Sequence, residues 1–374
     1  MSSPSRLYPQ KLDHPRGRTE ILIGAGALEA AAERLAGWLE GRTLAVVSTP
    51  RLRELHGEAL APLGRRAAHT VALEVPDGEQ AKTLATAERL WNELLAAGGK
   101  RDSRLIAFGG GSVGDLGGFV AGCFLRGIEY AQIPTTLLAQ VDAAIGGKTA
   151  VDLAGGKNTV GVFHHPAWVV SDTALLATLG RAELACGLVE VVKMALLLDP
   201  PLMERVEADL EPLLAGDAVA LAPVVAAATA AKCSVVESDP EEGGRRRVLN
   251  FGHTLGHAIE GVLKYQQLRH GEAVAYGMLF AVRLAERRGL AAEFGERLRR
   301  LLRRLALPPL PALDPEALCE FMARDKKALR TGLVWVLPTS RGGEIFGAPA
   351  MVPGIDRREL RAELGAFLAE PFAG

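Results

Sequence analysis

The run Leu105–Cys123, LIAFGGGSVGDLGGFVAGC, carries the signal that decides the fold. A short apolar stretch ends at Phe108, the glycine-rich turn Gly109–Asp115 follows it, and the helical pattern Leu116–Cys123 comes next. The turn matches GxGxxG, in which the N-terminus of a helix presents backbone N–H groups to a phosphate. The match alone is weak evidence, because Pro134-Thr135-Thr136 stands about twenty residues later, where an acidic ribose contact is expected.

The alternation of short apolar runs with helical patterns extends from about Thr19 to Asp172 and predicts β-α-β units with a parallel sheet covered by helices. Long helical patterns dominate from about Arg181 onwards. We therefore expect an α/β domain over residues 1–180 and a mostly α-helical domain over residues 181–374. The predicted strands are Thr43–Ser48, His69–Val75, Leu105–Phe108, Tyr130–Ile133 and Leu333–Leu337, and the predicted helices are Ala81–Ala97, Ala182–Leu198, Leu202–Leu210, Val224–Ser238, Thr254–Lys264, Glu272–Arg288 and Ala291–Leu305.

Bulk composition narrows the class of protein. The 374 residues are 48% hydrophobic and carry a net charge of −1, which gives no reason to expect nucleic acid or a membrane surface as a partner. The four cysteines are far apart and form no CxxC pair, so a reducing compartment fits best. The N-terminal residues lack the apolar core of a signal peptide, and the apolar run Ala218–Ala231 is too short to span a bilayer. We expect a cytoplasmic protein.

A histidine-rich segment, Asn250–His270, is the first candidate site. His253 and His257 are four residues apart, so they share one face of a helix, and His270 follows where the chain could fold back. An i, i+4 histidine pair with a third imidazole or a carboxylate is a plausible zinc site. A capped helix start whose histidines are satisfied by hydrogen bonds explains the pair equally well.

Further charged residues lie among glycines or apolar residues and suit an anionic, phosphorylated small substrate. Lys148, Lys157 and Asn158 stand in glycine-rich loops, where the backbone can approach a ligand closely. Glu190 and Lys193 are one turn apart on an apolar helix and are either an internal ion pair or groups facing a cavity. The segment Asp77–Lys82 could contact a ribose, although its charges are more often an ordinary surface ion pair.

Seven blocks, in this order, resemble the 3-dehydroquinate synthase family. Together they cover most of the chain, and their combination is highly specific. The blocks are GGGSVGDLGGFVAGCFLRG (109–127), IPTTLLAQVDAAIGGKTAVD (133–152), GGKNTVGVFHHP (155–166), GLVEVVKMALL (187–197), ESDPEEGGRRRVLNFGHTLGHAIE (237–260), LRHGEAVAYGM (268–278) and RDKK (324–327).

The resemblance implies a Rossmann-like N-terminal domain, a helical C-terminal domain and an active site in the cleft between them. It also implies catalytic NAD+ that is regenerated, one divalent metal, usually zinc with cobalt as the alternative, and a homodimer. The implied reaction belongs to the shikimate pathway and converts 3-deoxy-D-arabino-heptulosonate 7-phosphate to 3-dehydroquinate and phosphate. Transient oxidation, phosphate elimination, re-reduction and an intramolecular aldol closure would follow one another, with no net redox change.

Carried over by motif, the metal ligands would be Glu190, His253 and His270. His257 then becomes a substrate and proton-handling residue instead of a ligand, and Glu242 becomes the other proton acceptor. The catalytic set would be Glu242, His257, Lys148, Asn158 and Lys193.

The same resemblance implies substrate and cofactor contacts. The substrate carboxylate would meet Lys148, Lys232 and Arg246, and the ring hydroxyls would meet Asp142 and Lys193. The phosphate would meet Asn158, Asn250, His257 and Lys327, which we prefer to Lys326, while Arg126 would reach the neighbouring subunit. The NAD+ contacts would be Glu79, Lys82, Gly110, Gly111, Ser112, Asp115, Thr135, Thr136, Lys157 and Thr178.

Two rival functions remain. The first is another sugar-phosphate cyclase, of the 2-epi-5-epi-valiolone synthase kind, although intact Lys148, Lys232 and Arg246 favour a carboxylated substrate. The second is a metal-dependent polyol dehydrogenase, which would leave NADH as a product. The chain departs from the family pattern at Ser48-Thr49-Pro50, at Cys186 and at His164-His165, and none of these departures removes a catalytic group.

Overall fold

The computed structural model describes residues 6–290, 294–326, 334–339, 350–353 and 355–370. The chain forms two compact units, one of Met1–Leu184 with Asp209–Glu241 and the other of Ala185–Ala208 with Glu242–Gly374. This division differs from the single boundary expected near residue 180, because the segment Asp209–Glu241 returns to the first unit. This segment contains a long helix, Ala218–Ser238, that packs against strands of the first unit.

A seven-stranded sheet forms the centre of the first unit, in the order β1-β2-β9-β6-β5-β3-β4. Strands β1 and β2 are antiparallel, and every other neighbouring pair in this sheet is parallel. Strands β7 and β8 form a separate antiparallel hairpin. The strands of this unit are β1 Tyr8–His14, β2 Gly17–Gly24, β3 Thr43–Ser48, β4 His69–Glu74, β5 Arg104–Gly109, β6 Tyr130–Pro134, β7 Lys148–Leu153, β8 Gly156–Phe163 and β9 Trp168–Asp172.

The four strands predicted in this half are confirmed, whereas the hairpins β1–β2 and β7–β8 were not predicted. Both faces of the sheet are buried, as in other parallel sheets. On β5, Leu105 and Ala107 join the apolar cluster on one face, while Ile106 and Phe108 join the cluster on the other. The continuous apolar run that predicted β5 therefore reflects burial on both sides.

The helices follow in chain order, and α7 begins in the first unit and continues into the second. The helices are α1 Ala27–Arg34, α2 Ala36–Leu39, α3 Pro50–His56, α4 Ala61–Gly64, α5 Leu84–Ala96, α6 Gly111–Cys123, α7 Arg181–Leu198, α8 Pro200–Ala208, α9 Leu210–Leu214, α10 Ala218–Ser238, α11 His253–Val262, α12 His270–Arg287, α13 Phe294–Arg304, α14 Pro315–Lys326 and α15 Arg357–Ala369. Further helical turns, of 3₁₀ or π geometry, are Gly57–Leu60, Glu79–Ala81, Phe124–Arg126, Ala139–Ala143, Thr173–Thr178 and Arg245–Asn250.

Glycines on α6 allow this helix to lie directly on the sheet and on the β7–β8 hairpin. A Cβ at Gly114 would lie 2.6 Å from Gln132 Oε1 of β6, and one at Gly117 would lie 2.7 Å from the Cβ of Ala107. At Gly118 the clash would be with Thr149 Cγ2 of β7, at 2.3 Å. The glycine-rich run after β5 therefore serves close packing as well as the helix start.

Helix α10 packs against β1 and β2, which explains why it belongs to the first unit. It begins six residues before the predicted start at Val224, because Asp217 caps it by accepting hydrogen bonds from the amides of Val219 and Ala220. Pro223 lies inside the helix. By length and composition α10 could cross a membrane, but most of its residues are buried within this unit, as in the core helix of a globular domain.

In the second unit, α11 and α12 cross at glycines. A Cβ at Gly277 would lie 1.8 Å from the carbonyl oxygen of Gly252, and one at Gly256 would lie 3.1 Å from the Cα of Val274. The two backbones therefore touch. Helices α14 and α15 pack beside them, and β10 (Val334–Leu337) pairs antiparallel with β11 (Ala350–Pro353). This pairing confirms the predicted strand Leu333–Leu337 over the residues that the structure describes, from Val334 onwards.

Candidate active site

Three ligand-type side chains meet in the second unit. Glu190 lies on α7, and His253 and His270 are the first residues of α11 and α12. The Oε1 atom of Glu190 lies 3.5 Å from His253 Nε2 and 3.8 Å from His270 Nε2. One ligand atom from each residue lies within 4.8 Å of the others, so a single ion could contact all three. These are the three residues that the resemblance implies as metal ligands.

Backbone contacts at glycines bring these residues together. Gly252 precedes α11 with a φ of 79°, a conformation that costs little only for glycine, and it turns the chain so that His253 begins the helix. Gly271 lies against α7, since a Cβ there would come within 2.3 Å of the carbonyl oxygen of Cys186. The approach of α12 to α7 places His270 beside Glu190.

Hydrogen bonds fix the orientation of both imidazoles. His253 Nδ1 lies 3.1 Å from the carbonyl oxygen of Phe251, and His270 Nδ1 lies 3.1 Å from Glu260 Oε2. Both partners are acceptors, so in each ring Nδ1 carries the proton and donates it. In the neutral ring, Nε2 of His253 and of His270 then presents a lone pair towards Glu190, as metal ligation requires.

The carboxylate of Glu190 is fully buried. The Lys193 ammonium forms an ion pair with it. Burial, together with the Lys193 charge, holds the pKa of His253 well below its usual value, which favours the neutral imidazole that binds metals. A buried carboxylate and two imidazoles fit a divalent cation such as zinc.

His257 lies beside this cluster without belonging to it. Its ring centroid is 5.3 Å from that of His253 and 5.9 Å from that of His270. Within the described part of the chain, potential ligands form two groups, Glu190–His253–His270 and His257–Glu260–His270, and neither contains both His253 and His257. His253 and His257, the i, i+4 pair suggested by spacing, are therefore not in one ligand group. The three residues that the resemblance implies as ligands do form one group.

Three other predicted residues of this unit, Glu242, Arg246 and Asn250, precede α11 in the chain. Asn250 donates a hydrogen bond from Nδ2 to Glu242 Oε1 at 3.1 Å, and Glu242 has a φ of 61°, an uncommon conformation for a residue other than glycine. Arg246 is buried. Lys327 lies outside the described residues.

In the first unit, Lys82 is the centre of a charged cluster. Its buried ammonium lies 2.8 Å from Asp115 Oδ2 and 3.4 Å from Glu79 Oε1, and it also donates to Asn158 Oδ1. Asp152 Oδ1 accepts a hydrogen bond from the amide of Asn158 at 2.7 Å. The structure thus groups Asn158, expected on the phosphate side of the substrate, with the residues expected to hold NAD+.

Most of the remaining predicted cofactor residues follow the carboxyl ends of β5, β6 and β9, the edge where ligands bind in open α/β sheets, whereas Lys157 lies on β8. Ser112 donates a hydrogen bond to Glu79 Oε2 at 2.8 Å, and Lys157 Nζ lies 3.5 Å from Glu79 Oε1. A Cβ at Gly110 would lie 3.1 Å from the side chain of Thr136. Further positions along this edge are Gly111 at the start of α6, Thr135 bonded through its amide to Gly109, and Thr178, whose hydroxyl lies 2.9 Å from His56 Nε2.

Ionisation in the Lys82 cluster follows from burial and charge. Burial raises the pKa of Asp115 to about 6 despite the attraction of the Lys82 ammonium. Burial also opposes the charges on Glu79 and Lys82, but their oppositely charged neighbours outweigh it, lowering the pKa of Glu79 and raising that of Lys82. The cluster therefore keeps a fixed cation beside carboxylates that differ in acidity.

The residues predicted to bind the substrate are only partly grouped within the first unit. Lys232 Nζ donates to the backbone oxygen of Asp142 at 2.6 Å and to its Oδ1 atom at 2.7 Å. Lys148 is exposed at the start of β7, directly after Gly146 and Gly147, which both have positive φ. Arg126 is exposed and also has a positive φ, of 70°. These roles stay predictions.

Comparison with known proteins identifies the family. Residues 72–186 match the 3-dehydroquinate synthase N-terminal family, and residues 187–328 match the 3-dehydroquinate synthase C-terminal family. The chain belongs to the 3-dehydroquinate synthase family. A 3-dehydroquinate synthase from Geobacter metallireducens is 46% identical over 88% of this chain and 90% of its own length. One from Symbiobacterium thermophilum is 44% identical over 92% of this chain and 98% of its own length.

Solved structures of related cyclases share the family fold. ValA, a 2-epi-5-epi-valiolone synthase from Streptomyces hygroscopicus with NAD+ and Zn2+ bound, has a TM-score of 0.82 at 29% identity and covers 93% of this chain and 96% of its own. A 2-deoxy-scyllo-inosose synthase complexed with carbaglucose-6-phosphate, NAD+ and Co2+ has a TM-score of 0.83 at 27% identity, covering 96% of this chain and 99% of its own. The resemblance and the fold class predicted from the sequence are thus confirmed.

Two residues near the candidate site were missed in the sequence. Glu260 contacts His270, and Asp152 supports Asn158. Glu260 follows His253 by seven residues on α11, a spacing of two helical turns that returns to the same face, and this signal could have identified it. Asp152 gave no such signal, because its contact depends on the β7–β8 hairpin.

Proposed function

We propose that this chain is a 3-dehydroquinate synthase that converts 3-deoxy-D-arabino-heptulosonate 7-phosphate to 3-dehydroquinate and phosphate. The observation that carries the proposal is the buried Glu190 carboxylate facing two Nε2 atoms, in a chain that belongs to this family. Such a cluster suits a reaction that needs a metal beside a hydroxyl group that is transiently oxidised. The family relatives of this chain carry the same enzyme name.

The cofactors would be NAD+ and one divalent metal, zinc or cobalt, as in the related cyclases whose structures contain them. When bound, NAD+ takes up and returns a hydride, and the metal polarises the hydroxyl oxygen that becomes a ketone. Glu190, His253 and His270 would hold the metal. In the metal-free protein, the Lys193 ammonium offsets the charge of the Glu190 carboxylate.

The first unit would bind NAD+. The start of α6 offers backbone N–H groups of Gly111 and Ser112 to the pyrophosphate, and the helix dipole favours an anion there. Glu79, lying between Lys82 and Lys157, would accept hydrogen bonds from a ribose hydroxyl, because the two cations keep it ionised. The end of β6 would supply Thr135 and Thr136.

Cationic side chains would bind the two anionic ends of the substrate. Asp142 already orients Lys232, because the Lys232 ammonium donates hydrogen bonds to the backbone oxygen and to the Oδ1 atom of Asp142. With Lys148 and Arg246, Lys232 would meet the carboxylate, while Asp142 and Lys193 would contact the ring hydroxyls. Asn158, Asn250, His257 and Lys327 would meet the phosphate, and Arg126 would contribute to that phosphate site in the neighbouring subunit.

Proton transfer would use His257 and Glu242. His257 is exposed and adjoins the metal-ligand cluster, so it can exchange protons with both solvent and substrate. Glu242 is held by Asn250 at 3.1 Å, which fixes the carboxylate in one orientation. Positively charged neighbours would stabilise the enolate and phosphate charge that develops during elimination.

The cellular location and the oligomeric state are proposed from the function. A biosynthetic enzyme with a small phosphorylated sugar-acid substrate and a balanced net charge fits a cytoplasmic homodimer that binds neither nucleic acid nor membrane. Size-exclusion chromatography with light scattering would test the dimer: a mass twice that of the chain is expected, and a monomer that is fully active would contradict the proposal.

The deciding experiment mixes the purified protein with the heptulosonate phosphate, NAD+ and zinc while phosphate, dehydroquinate and NADH are followed together. Stoichiometric phosphate and dehydroquinate without lasting NADH are expected, and a chelator should abolish both. Accumulating NADH would indicate a dehydrogenase instead; an iron-containing alcohol dehydrogenase shares this fold with a TM-score of 0.70 at 15% identity. Turnover of sedoheptulose 7-phosphate alone would indicate a different cyclase.

A further inference from the structure

The two imidazoles that face Glu190 are held by partners of different charge. His253 donates from Nδ1 to the neutral backbone carbonyl of Phe251, whereas His270 donates from Nδ1 to the carboxylate of Glu260. A carboxylate partner increases the electron density on the ring and makes Nε2 a stronger ligand, and it also fixes the ring orientation. Glu260 therefore strengthens His270 as a ligand, whereas the neutral carbonyl of Phe251 does not strengthen His253 in this way.

The position of Glu260 suits this role. It lies on α11 and is 6% exposed, so its carboxylate is removed from most of the solvent. Its contact with His270 joins α11 to the first residue of α12. A buried carboxylate is stabilised by a strong hydrogen-bond donor, and the Nδ1–H group of His270 is such a donor at 3.1 Å. The contact would order both side chains before a metal binds.

Glu260 could instead be a ligand, because it forms the second group of possible ligands together with His257 and His270. A metal bound through Nδ1 of His270 would displace the hydrogen bond that this atom donates to Glu260. The two arrangements exclude each other at the same nitrogen. The group with Glu190 uses Nε2 and leaves this hydrogen bond intact, so it is the one that the contacts favour.

We infer that Glu260 is a positioning residue that orients His270 and strengthens it as a metal ligand through Nδ1. The inference rests on the proposed function, because it assumes that His270 binds the metal of that reaction. Loss of the carboxylate should weaken metal binding by about 10-fold to 100-fold, the range seen when such partners of metal-bound histidines are removed. Substrate and NAD+ need not be present for this effect.

The experiment compares the wild type with Glu260→Gln and Glu260→Met, both of which nearly keep the side-chain volume. Metal-free protein is titrated with Zn2+ against a chromogenic chelator to give Kd, and the visible absorption of the Co2+-loaded protein is recorded. Glu260→Gln keeps an acceptor without the charge, so we expect a loss of about 10-fold, and about 100-fold for Glu260→Met. The Co2+ absorption bands should shift in both variants.

The matched control is Glu207→Gln. Glu207 is a partly buried carboxylate of the same unit that binds Arg297 through both oxygens, at 2.9 Å and 2.8 Å. This variant should lose stability while keeping the wild-type zinc Kd and Co2+ spectrum. Circular dichroism of every metal-free variant checks that it is folded.

The outcomes separate the two proposals. A wild type that forms dehydroquinate, with Glu260→Gln showing an unchanged Kd and Co2+ spectrum, would overturn the inference and leave the function intact. A wild type that binds zinc but forms no dehydroquinate would overturn the function, while weaker binding in the two variants would still support the role of Glu260. A wild type without zinc affinity would overturn both.

Discussion

The backbone amide of Gly271 donates a hydrogen bond to Cys186 Sγ at 3.0 Å, so the second residue of α12 is attached to α7 one turn before Glu190. The contact is possible because residue 271 is glycine. A Cβ at this position would lie 2.3 Å from the Cys186 carbonyl oxygen. The distance between Glu190 and His270 therefore depends on a backbone contact as well as on the side chains themselves.

Gly271→Ala should push α12 away from α7 and disturb the ligand set. We expect unfolding to become easier by about 1–3 kcal/mol, as in other overpacked interiors, and zinc affinity to fall at least about tenfold. Chemical unfolding and chelator competition measure the two effects. The control is Gly365→Ala on α15, whose nearest neighbour would be Pro315 Cγ at 4.0 Å; it should keep the zinc Kd. Unchanged zinc binding in Gly271→Ala would contradict the account.

Glu190 and Lys193 should be coupled in stability. Both side chains are buried, so replacing one leaves the other buried without its partner. Removing one partner of a buried ion pair lowers the free energy of unfolding by about 3–5 kcal/mol. For the metal-free protein we expect Glu190→Gln to be clearly less stable than the double variant Glu190→Gln/Lys193→Met. Urea unfolding of both singles and the double measures the coupling, and strictly additive losses would argue against it. Neither variant lacking Glu190 should retain zinc.

Asp115 should make the stability of the first unit depend on pH. Its folded pKa of about 6 lies above the ordinary value of 3.8, so the folded state binds the proton more tightly than the unfolded state does. This contribution favours folding at low pH and is lost as the pH rises through 6. Between pH 5 and pH 7 it amounts to about 1 kcal/mol.

The test is urea unfolding of the NAD+-free wild type and Asp115→Asn at both pH values. We expect the wild type to lose about 1 kcal/mol more than the variant on going from pH 5 to pH 7. The exposed Asp102 supplies the control substitution, Asp102→Asn, which should follow the wild type. Parallel losses in wild type and Asp115→Asn would show that Asp115 titrates normally.

Lys232 should matter for the substrate and not for NAD+. Removing its charge in Lys232→Met deletes charge-assisted hydrogen bonds worth about 1.5–3 kcal/mol, so KM for the heptulosonate phosphate should rise about 10-fold to 100-fold. The Kd of NAD+, measured by calorimetry, should change little. Lys11→Met, at an exposed position on β1, is the matched control and should behave as the wild type. An unchanged KM in Lys232→Met would remove Lys232 from the substrate site.

Parts of the fold were accessible from the sequence because their signals are local. Strands β3, β5 and β6 are buried on both faces and read as continuous apolar runs, and α6 follows a glycine turn. The hairpin β7–β8 was missed because its glycines and charges resemble a loop, and its pairing is set by contact with α6. The start of α10 was misplaced because Pro223 suggested a boundary, whereas the Asp217 cap lies further upstream.

The candidate site shows a similar limit. Spacing within Asn250–His270 could place His253 and His257 on one face of a helix, but it could not supply Glu190, which comes from a different helix. The family resemblance supplied that candidate ligand, and the structure brings the three side chains together. Glu260 escaped notice because a glutamate at the end of a helical pattern is usually read as part of a solvated face.

The return of Asp209–Glu241 to the first unit has a consequence for synthesis on the ribosome. Strands β1 and β2 are made first, but α10, which covers them and whose Ala226 carbonyl accepts a hydrogen bond from Gln10, is made much later. Until about residue 241 has emerged, the apolar surface that α10 covers on these strands remains without its partner. A fragment truncated at Leu184 would keep that surface permanently open, so we expect it to associate with itself or with chaperones instead of folding as an independent domain.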